Sequence, residues 1–304
     1  MNDRLADYLD WMRARNPALD AINASLRLAV DCSNGMASLF ARAVFPQATL
    51  LNATPDGTFP AHSPNPLKAD AREQLSACVR ANGLDAGLIF DGDADRCMFI
   101  DERGDFVQPD YLIPIVARAC ARLAPPAEGP QTVLHDVRTS RGAIETLRED
   151  GFRPVMVPVG HAFAKPVMRA EKALCGGELA GHYYFGEFFG CDSGLLAALR
   201  ILAELAAAGA PFSAMMRPIV SRYENSGELN FKVEDKDAAI ARVLARAAAF
   251  GPETGRSAMD GVRVEFADGW LNVRKSNTEP YLRLLVERRT GVAEWVEALT
   301  AVVS

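Results

Sequence analysis

The sequence lacks long apolar runs, paired cysteines and an excess of positive charge. No apolar run reaches the ~18 residues that a membrane-spanning helix needs, because the longest candidate, residues 195–210, is interrupted by Arg200 and Glu204. The charged N-terminus has no apolar core of the kind found in secretory signals. The six cysteines form no CxxC pair and mostly lie in apolar runs, which favours a reducing, cytoplasmic location. We therefore expect no membrane partner.

The charge balance excludes a generic nucleic-acid-binding surface. With 33 Lys and Arg against 39 Asp and Glu, the net charge is −6, and an acidic chain binds phosphate backbones poorly. Any anion therefore has to be held by a local cluster of cationic residues. The chain of 304 residues is too long for one ordinary domain, for which roughly 100–200 residues is typical, so we expect two or three domains.

Strand and helix patterns divide the chain into four parts. Residues 1–25 predict a short amphipathic helix and a linker, whereas residues 26–105 and 106–220 alternate strands with helices, as in sheets covered by helices. Residues 221–304 predict neighbouring strands joined by a tight turn. The predicted fold class is α/β: two related three-layer α/β/α domains with mixed sheets, followed by a C-terminal α+β domain with an antiparallel sheet. On the motifs described next, these three domains bind metal, sugar and phosphate in that order.

The segment DGDADR places three carboxylates directly after an apolar strand. Asp91, Asp93 and Asp95 alternate with small residues, so a tight loop can bring them to one point. Their mutual repulsion favours a bound cation, and all-oxygen ligands suit Mg²⁺ or Ca²⁺, with few protein ligands favouring Mg²⁺. An acidic surface turn is the alternative. An EF-hand is rejected, because Arg96 occupies the position that needs glycine and the flanking segments are strands.

The segment GGELAGHYYF predicts an exposed, glycine-rich loop after a strand. It presents Glu178 as a hydrogen-bond acceptor and His182 as a mixed donor and acceptor. Such a pair suits the vicinal hydroxyl groups of a sugar. The alternative is a glycine-rich turn whose polar groups have no role.

The segment RKSNTEPYLR is the local cationic cluster that the acidic composition requires. Two guanidinium groups and three neutral donors lie within ten residues, contributed by Arg274, Ser276, Asn277, Thr278 and Arg283. Guanidinium groups bind phosphate oxygens in a bidentate manner, and successive amides in a turn form an anion-binding nest. A polar hairpin loop with capping hydroxyls is the alternative.

These three segments, in this order, resemble the motifs of the α-D-phosphohexomutase family, which includes phosphomannomutase/phosphoglucomutase. Four weaker segments agree with the family as well, namely AVDCSNGMAS, HSPNP, DVRTSRG and VGHAFAK. The resemblance covers the chain from residue 26 onward.

The resemblance implies a role for each matching residue of the first loop. Asp91, Asp93 and Asp95 would bind Mg²⁺, and Arg96 would lie beside the phosphate that is transferred. His161 matches a site histidine of the family, although a lone histidine at a helix start is equally consistent with a structural role.

The remaining matches concern the substrate. Glu178 and His182 would bind sugar hydroxyls, and Ala180 stands where many relatives carry serine, so one hydroxyl contact is missing. Arg138 stands where the family often has lysine, which differs in reach and geometry. The non-transferring phosphate would be held by Arg274, Ser276, Asn277, Thr278 and Arg283.

The family interconverts hexose 1-phosphate and hexose 6-phosphate through a hexose 1,6-bisphosphate, using a phosphoserine in the first of four domains. This chain resembles the last three domains, and it shows no serine in a comparable motif. The resemblance thus implies a chain that binds Mg²⁺ and a hexose phosphate but has little mutase activity alone.

Four alternatives stay open at this point. The first is that the chain is a fragment of a phosphohexomutase whose serine domain is encoded upstream. Alternatively, the chain is a subunit that needs a separate N-terminal serine domain as its partner, or it is a non-catalytic phosphosugar-binding module. A hydrolase of the aspartyl-phosphate type would need its nucleophile from the DGDADR loop, and the sequence shows no convincing Lys and Ser/Thr arrangement to accompany it.

Overall fold

The computed structural model describes residues 3–276 and 280–303. Asn277 and Thr278, which the sequence assigns to phosphate binding, lie outside these described residues. Within the described ranges the chain forms three β-sheets, one after another along the sequence. Two are mixed sheets covered by helices and the third is antiparallel, so the predicted fold class is confirmed. The predicted domain bounds stay a prediction.

The N-terminal segment contains two helices, α1 (Asp3–Arg15) and α2 (Leu19–Ser25). The predicted linker is therefore wrong, because the second helix occupies most of it. Pro17 lies just before this helix, where proline costs no backbone hydrogen bond. Ile22 is fully buried in the same apolar cluster as Leu9 of α1, and this burial stabilises a helix of only seven residues.

The first sheet has the strand order β2-β1-β3-β4-β5. Strands β1, β2 and β3 are parallel, whereas β4 and β5 pair antiparallel. Successive residues of β3 face opposite sides of the sheet, so Leu88 and Phe90 pack in one apolar cluster and Ile89 packs in another. The elements are β1 (Leu28–Asp31), α3 (Ala41–Val44), β2 (Thr49–Leu51), α4 (Ala69–Asn82), β3 (Ala86–Phe90), β4 (Cys97–Asp101) and β5 (Phe106–Val107).

The second sheet repeats this arrangement, with the strand order β10-β9-β8-β6-β7. Strands β7, β6 and β8 are parallel, and β9 and β10 continue the sheet antiparallel. The shared order of strand directions makes the two α/β domains related. The elements are α5 (Ile113–Leu123), β6 (Thr132–Asp136), α6 (Arg141–Glu149), β7 (Arg153–Val157), α7 (His161–Ala170), β8 (Cys175–Gly177), β9 (Tyr183–Phe185), β10 (Cys191–Asp192), α8 (Gly194–Ala208) and α9 (Phe212–Val220).

The third sheet is antiparallel throughout its described pairs and has its own apolar core. The tight turn predicted for this part of the chain lies at residues 267–269 and joins two of the strands. Strand β13, which the sequence did not indicate, lies at one edge. The elements are β11 (Glu224–Asn225), β12 (Leu229–Phe231), α10 (Lys236–Ala247), β13 (Gly255–Ser257), β14 (Val262–Glu265), β15 (Gly269–Lys275), β16 (Leu282–Arg288) and α11 (Val292–Thr300).

Polar contacts fix the third sheet against the loop that follows β6. The backbone N–H of Arg141 donates to Glu287 Oε2 at 2.8 Å. The guanidinium group of Arg263 donates to the carbonyl groups of Val137 and Thr139 at 2.6 and 3.1 Å. Because Arg263 is buried, its hydrogen bonds to these carbonyl groups help to set the position of this loop beside the third sheet.

Helix α8 is the longest apolar helix, and it is mostly buried. None of the described helices is long and apolar enough to cross a membrane by itself. Only α8 and α9 together meet the length and composition criteria, and they are bent by 102° at the break between them.

Candidate functional site

The polar motifs of the two α/β domains lie at the carboxyl ends of parallel strands. Asp91 follows β3 directly, Asp136 is the last residue of β6, and Glu178 follows β8. In open α/β sheets, the carboxyl ends of the strands meet at one edge, where ligands bind. The fold therefore brings segments that are far apart in sequence to the same side of each sheet.

The DGDADR loop brings its three carboxylates together. Asp91, Asp93 and Asp95 each offer an oxygen atom within 4.8 Å of the others. Ala94 adopts a left-handed conformation with φ of 64°, which gives the loop its tight bend. Burial raises the pKa of Asp91 to about 6 against the opposing charge of Arg96, and Asp95 adds to the rise. The predicted convergence of the three carboxylates is thus present.

The donor chemistry of this loop fits a divalent cation. Among the described residues, Asp95 Oδ1 is a buried oxygen atom without a hydrogen-bond partner. Arg96 Nε lies 3.8 Å from it, which is beyond hydrogen-bond distance, so a cation that coordinates this oxygen would satisfy it. Three carboxylate oxygens and no sulfur ligand suit Mg²⁺, which takes its remaining ligands from water or substrate.

Arg96 links the metal loop to the second sheet. Its Nε donates to Asp91 Oδ2 at 2.7 Å, and its backbone forms an isolated β-bridge with His182. The start of helix α8 supports this junction, since a Cβ atom at Gly194 would lie 2.8 Å from the carbonyl oxygen of Arg96. Only glycine allows the helix to approach so closely.

The GGELAGHYYF segment is not the exposed loop that the sequence predicts. It forms a hairpin in which β8 and β9 pair antiparallel, with Gly181 at φ of 88° in the turn. Glu178 is 1% exposed, and its carboxylate accepts hydrogen bonds from Tyr184 Oη and from the backbone N–H of Gly160. Burial raises the pKa of Glu178, and the nearby Asp136 adds to this effect. The aromatic run YYF forms a buried strand, which withdraws the loop from solvent.

His182 faces the metal loop. Its Nδ1 lies 2.9 Å from Asp192 Oδ2 and 3.8 Å from Asp95 Oδ2. Burial alone would lower the pKa of His182, but the hydrogen bond to Asp192 and the charges of Asp95 and Glu178 raise it. His182 thus connects the predicted sugar loop with the predicted metal loop.

Asp192 was not selected from the sequence, although it lies in this site. It belongs to the short strand β10, which only becomes apparent once β9 is recognised. Its other oxygen lies 3.6 Å from Lys165 Nζ. The signal in the sequence is its place just before the helix-capping Ser193, ten residues after His182.

His161 is the first residue of α7 and is exposed. Its ring centroid lies 6.2 Å from that of His182. The structure therefore places it beside the site but gives it no direct contact with the metal loop among the described interactions. Its role stays a prediction.

Arg138, Arg274 and Arg283 come together around the carboxylate of Glu228. Arg274 Nη2 donates to Glu228 Oε1 at 3.1 Å, and Arg283 Nη1 donates to Glu228 Oε2 at 3.0 Å. Arg138 Nη1 lies 3.6 Å from the same carboxylate. Arg274 and Arg138 are each 2% exposed, so the phosphate segment and Arg138 of the preceding domain meet in one largely buried cluster.

Two further residues belong to the same region, one predicted and one not. Ser276 lies in the described part of the segment, and its backbone N–H donates to the carbonyl group of Tyr281 at 2.9 Å. Glu228 was not selected from the sequence. Its only signal is a position just before β12, where it follows Gly227.

The predicted site residues form one continuous path of contacts. Asp95 lies within 3.8 Å of His182, whose carbonyl group accepts from the N–H of Glu178 at 2.9 Å. The carboxylate of Glu178 lies 3.7 Å from Arg138, which leads through Glu228 to Arg274. Asp95 and Arg274, which are 179 positions apart, are therefore joined by one path that runs from the metal loop to the arginine cluster.

Family models match almost the whole chain. The model described as phosphoglucomutase/phosphomannomutase, alpha/beta/alpha domain II, matches residues 6–104. The models for alpha/beta/alpha domain III and for the C-terminal domain match residues 108–223 and 228–301.

Curated relatives agree with these models. The chain is 37% identical over 283 residues to a protein of Xanthomonas campestris named "Phosphohexose mutases", covering 92% of this chain and 62% of that protein. It is also 37% identical to a phosphomannomutase of Salmonella montevideo, covering 88% of this chain and 59% of that protein. The chain thus spans about three fifths of the length of these relatives.

Solved structures show the same fold. A phosphoglucomutase/phosphomannomutase family protein of Burkholderia thailandensis is 28% identical with a TM-score of 0.77, covering 95% of this chain and 64% of that one. An Aspergillus fumigatus N-acetylphosphoglucosamine mutase in complex with GlcNAc-6P and magnesium is similar in fold alone, at 16% identity and a TM-score of 0.70, covering 96% and 69%.

Proposed function

The chain belongs to the α-D-phosphohexomutase family of isomerases, and we propose that it binds Mg²⁺ and a hexose phosphate for the interconversion of hexose 1-phosphate and hexose 6-phosphate. The phosphoserine of that reaction would come from the family's first domain, whereas the models that match this chain are those of the second, third and fourth domains. The observation that carries the proposal is the continuous path from the metal loop through His182 and Glu178 to the arginine cluster.

Each part of this path would contribute a different interaction. Asp91, Asp93 and Asp95 would hold Mg²⁺, which neutralises charge on phosphoryl oxygens when it is bound. Arg96 would stabilise the same phosphate. His182, already held by Asp192, would orient a sugar hydroxyl. A hexose phosphate would therefore be fixed at both ends, which positions it for transfer.

Calorimetry tests the binding proposal directly. With Mg²⁺ present, the protein should bind glucose 1-phosphate or mannose 1-phosphate and should not bind the unphosphorylated sugars at the same concentrations. Glucose 1,6-bisphosphate should bind as well, because the family uses such a bisphosphate as its intermediate. Equal binding of phosphorylated and free sugars, or no binding of either, would contradict the proposal.

The arrangement supports two forms of the function. In one, a separate N-terminal serine domain acts as a partner, and adding that domain with its phosphoserine should produce mutase turnover. In the other, the chain is a non-catalytic phosphosugar-binding module, and turnover should stay absent in every combination while binding persists. A cytoplasmic location also stays a prediction.

Mg²⁺ binding should weaken on acidification. The pKa of Asp91 is raised to about 6 by burial, so protons compete with the cation for this carboxylate below that pH. Since ligands must be deprotonated, the affinity should fall about tenfold for each pH unit below about 6 and change little above 7. Titration calorimetry with MgCl₂ at several pH values measures this.

The matched control for this prediction is Asp91→Asn. This variant should bind Mg²⁺ more weakly at pH 7.5 and should lose most of the pH dependence near 6, because the titrating ligand is gone. An affinity in the unsubstituted protein that is the same at pH 5 and at pH 7.5 would show that Asp91 is not a ligand.

A further inference from the structure

The carboxylate of Glu228 occupies the place where the arginine cluster would receive an anion. It accepts from Arg274 at 3.1 Å and from Arg283 at 3.0 Å, and it lies 3.6 Å from Arg138. These are the cationic groups that the phosphate loop and the sugar domain bring together. Guanidinium groups arranged around one carboxylate present the same donors that a phosphate group would use.

The net charge of the described residues around this cluster disfavours the binding of an added dianion. Three guanidinium groups face the carboxylates of Asp136, Glu178, Glu228 and Asp260, at distances of up to 4.0 Å. The cluster therefore carries one excess negative charge before any ligand binds. A phosphate dianion would bind unfavourably there unless one of the carboxylates moves away.

Three of the four carboxylates are tied to other parts of the fold. Asp136 accepts from the backbone N–H groups of Arg138 and Leu179, and Glu178 accepts from Tyr184 and Gly160. Both residues are buried.

Asp260 is held as well, because its Oδ2 accepts a hydrogen bond from the backbone N–H of Val159 at 3.1 Å.

Glu228 differs from the other three carboxylates. The described hydrogen bonds of its carboxylate all come from arginines of the cluster, and its side chain is the most accessible of the four, at 16%. It lies between β11 and β12, after Gly227 with φ of 66°. Glu228 is therefore the carboxylate that can leave.

We propose that Glu228 is a tethered anion that holds the phosphate-binding arginines in place and is displaced by the phosphate group of the ligand. This inference rests on the proposed function, in which these arginines bind a phosphate. Displacement lowers the negative charge that an incoming phosphate meets, because the three guanidinium groups then face three carboxylates instead of four.

The experiment compares Glu228→Gln with the unsubstituted protein, using inorganic phosphate, glucose 1-phosphate and acetate as titrants in calorimetry with Mg²⁺ present. Glutamine keeps the shape but not the charge. Glu228→Gln should bind phosphate about tenfold more tightly, the scale of one charged hydrogen bond no longer in competition. It should also bind acetate measurably, which the unsubstituted protein should not.

The matched control is Glu265→Gln. Glu265 also lies on the third sheet and pairs with two arginines, Arg141 and Arg263, but it is not part of the cluster around Glu228. Its variant should bind all three titrants as the unsubstituted protein does. Circular dichroism checks that each variant is folded. Glu228→Asp retains the charge on a shorter side chain and should give an intermediate gain in phosphate affinity. This variant replaces Glu228→Gln in the test if Glu228→Gln does not fold.

The outcomes separate the inference from the proposed function. If the unsubstituted protein binds phosphate and the Glu228 variants bind it equally or more weakly, Glu228 only positions the arginines and the displacement inference is wrong, while the proposed function stands. If neither the unsubstituted protein nor any variant binds phosphate or glucose 1-phosphate, the arginines are not an anion site. The displacement inference and the proposed function are then both wrong.

Discussion

Replacing Arg138 with alanine should destabilise the protein by about 3–5 kcal/mol, the usual cost of removing one partner of a buried ion pair. Arg138 is 2% exposed, and its Nε and Nη2 both donate to Asp136 Oδ2, at 3.1 and 2.6 Å. Without the guanidinium group, Asp136 remains as a buried carboxylate with only backbone donors. Urea unfolding monitored by circular dichroism measures the loss.

The pH dependence of this loss identifies its cause. Burial alone would raise the pKa of Asp136, but the charge and hydrogen bonds of Arg138 lower it. In the unsubstituted protein the pair therefore stabilises the fold above the unfolded carboxyl pKa of about 3.9, and the contribution is lost as the pH falls. In Arg138→Ala the pKa of Asp136 rises, so the carboxyl group takes up a proton on acidification and the deficit should be smaller at about pH 5 than at about pH 7.5.

Arg118→Ala is the matched control for this variant. Arg118 also pairs with an aspartate through Nε and Nη2, which donate to Asp150 Oδ2 and Oδ1 at 2.6 and 3.0 Å, in the same domain. That pair lies at the surface, where ion pairs contribute roughly 0–1 kcal/mol. Equal losses in the two variants, or a loss in Arg138→Ala that does not change with pH, would show that the buried charge of Asp136 is not the cause.

The fold could be predicted from the sequence where the pattern of apolar residues was regular. The buried run AGLIF and the helix that precedes it follow the periodicities of a strand and a helix, and β3 and α4 form there. The linker predicted within residues 1–25 was wrong, because a seven-residue helix has too little pattern of its own and depends on burying Ile22. Short strands such as β10 and β13 have the same limitation.

The site could be predicted only in part, for a related physical reason. The carboxylates of the metal loop are neighbours in sequence, so their convergence at 91–95 follows from a single tight turn. Glu228 and Asp192 have no such neighbours, and their contacts with Arg274 and His182 exist only after the sheets pack. Whether Glu178 faces solvent also depends on tertiary packing, and a glycine-rich sequence alone does not reveal that Tyr184 of β9 contacts its carboxylate.

Replacing Arg274 with alanine should weaken the binding of glucose 1-phosphate by about 1.5–3 kcal/mol, the scale of a hydrogen bond to a charged group. The side chain is held in the cluster by Glu228 at 3.1 Å, with Asp260 at 4.0 Å. It is thus already in a fixed geometry, and little conformational entropy is lost when it binds a phosphate. Titration calorimetry in the presence of Mg²⁺ measures the change.

Arg256→Ala is the control, because Arg256 lies in the same domain and pairs with Glu253 at the surface. It should bind glucose 1-phosphate as the unsubstituted protein does, and an unchanged affinity in Arg274→Ala would remove Arg274 from the phosphate site.

The double variant Arg274→Ala with Glu228→Gln adds a sharper test of the cluster. If Glu228 competes with the phosphate for Arg274, the gain from Glu228→Gln should be smaller when Arg274 is absent, since part of the competition no longer exists. A gain of the same size in both backgrounds would mean that Glu228 acts through Arg138 and Arg283 alone.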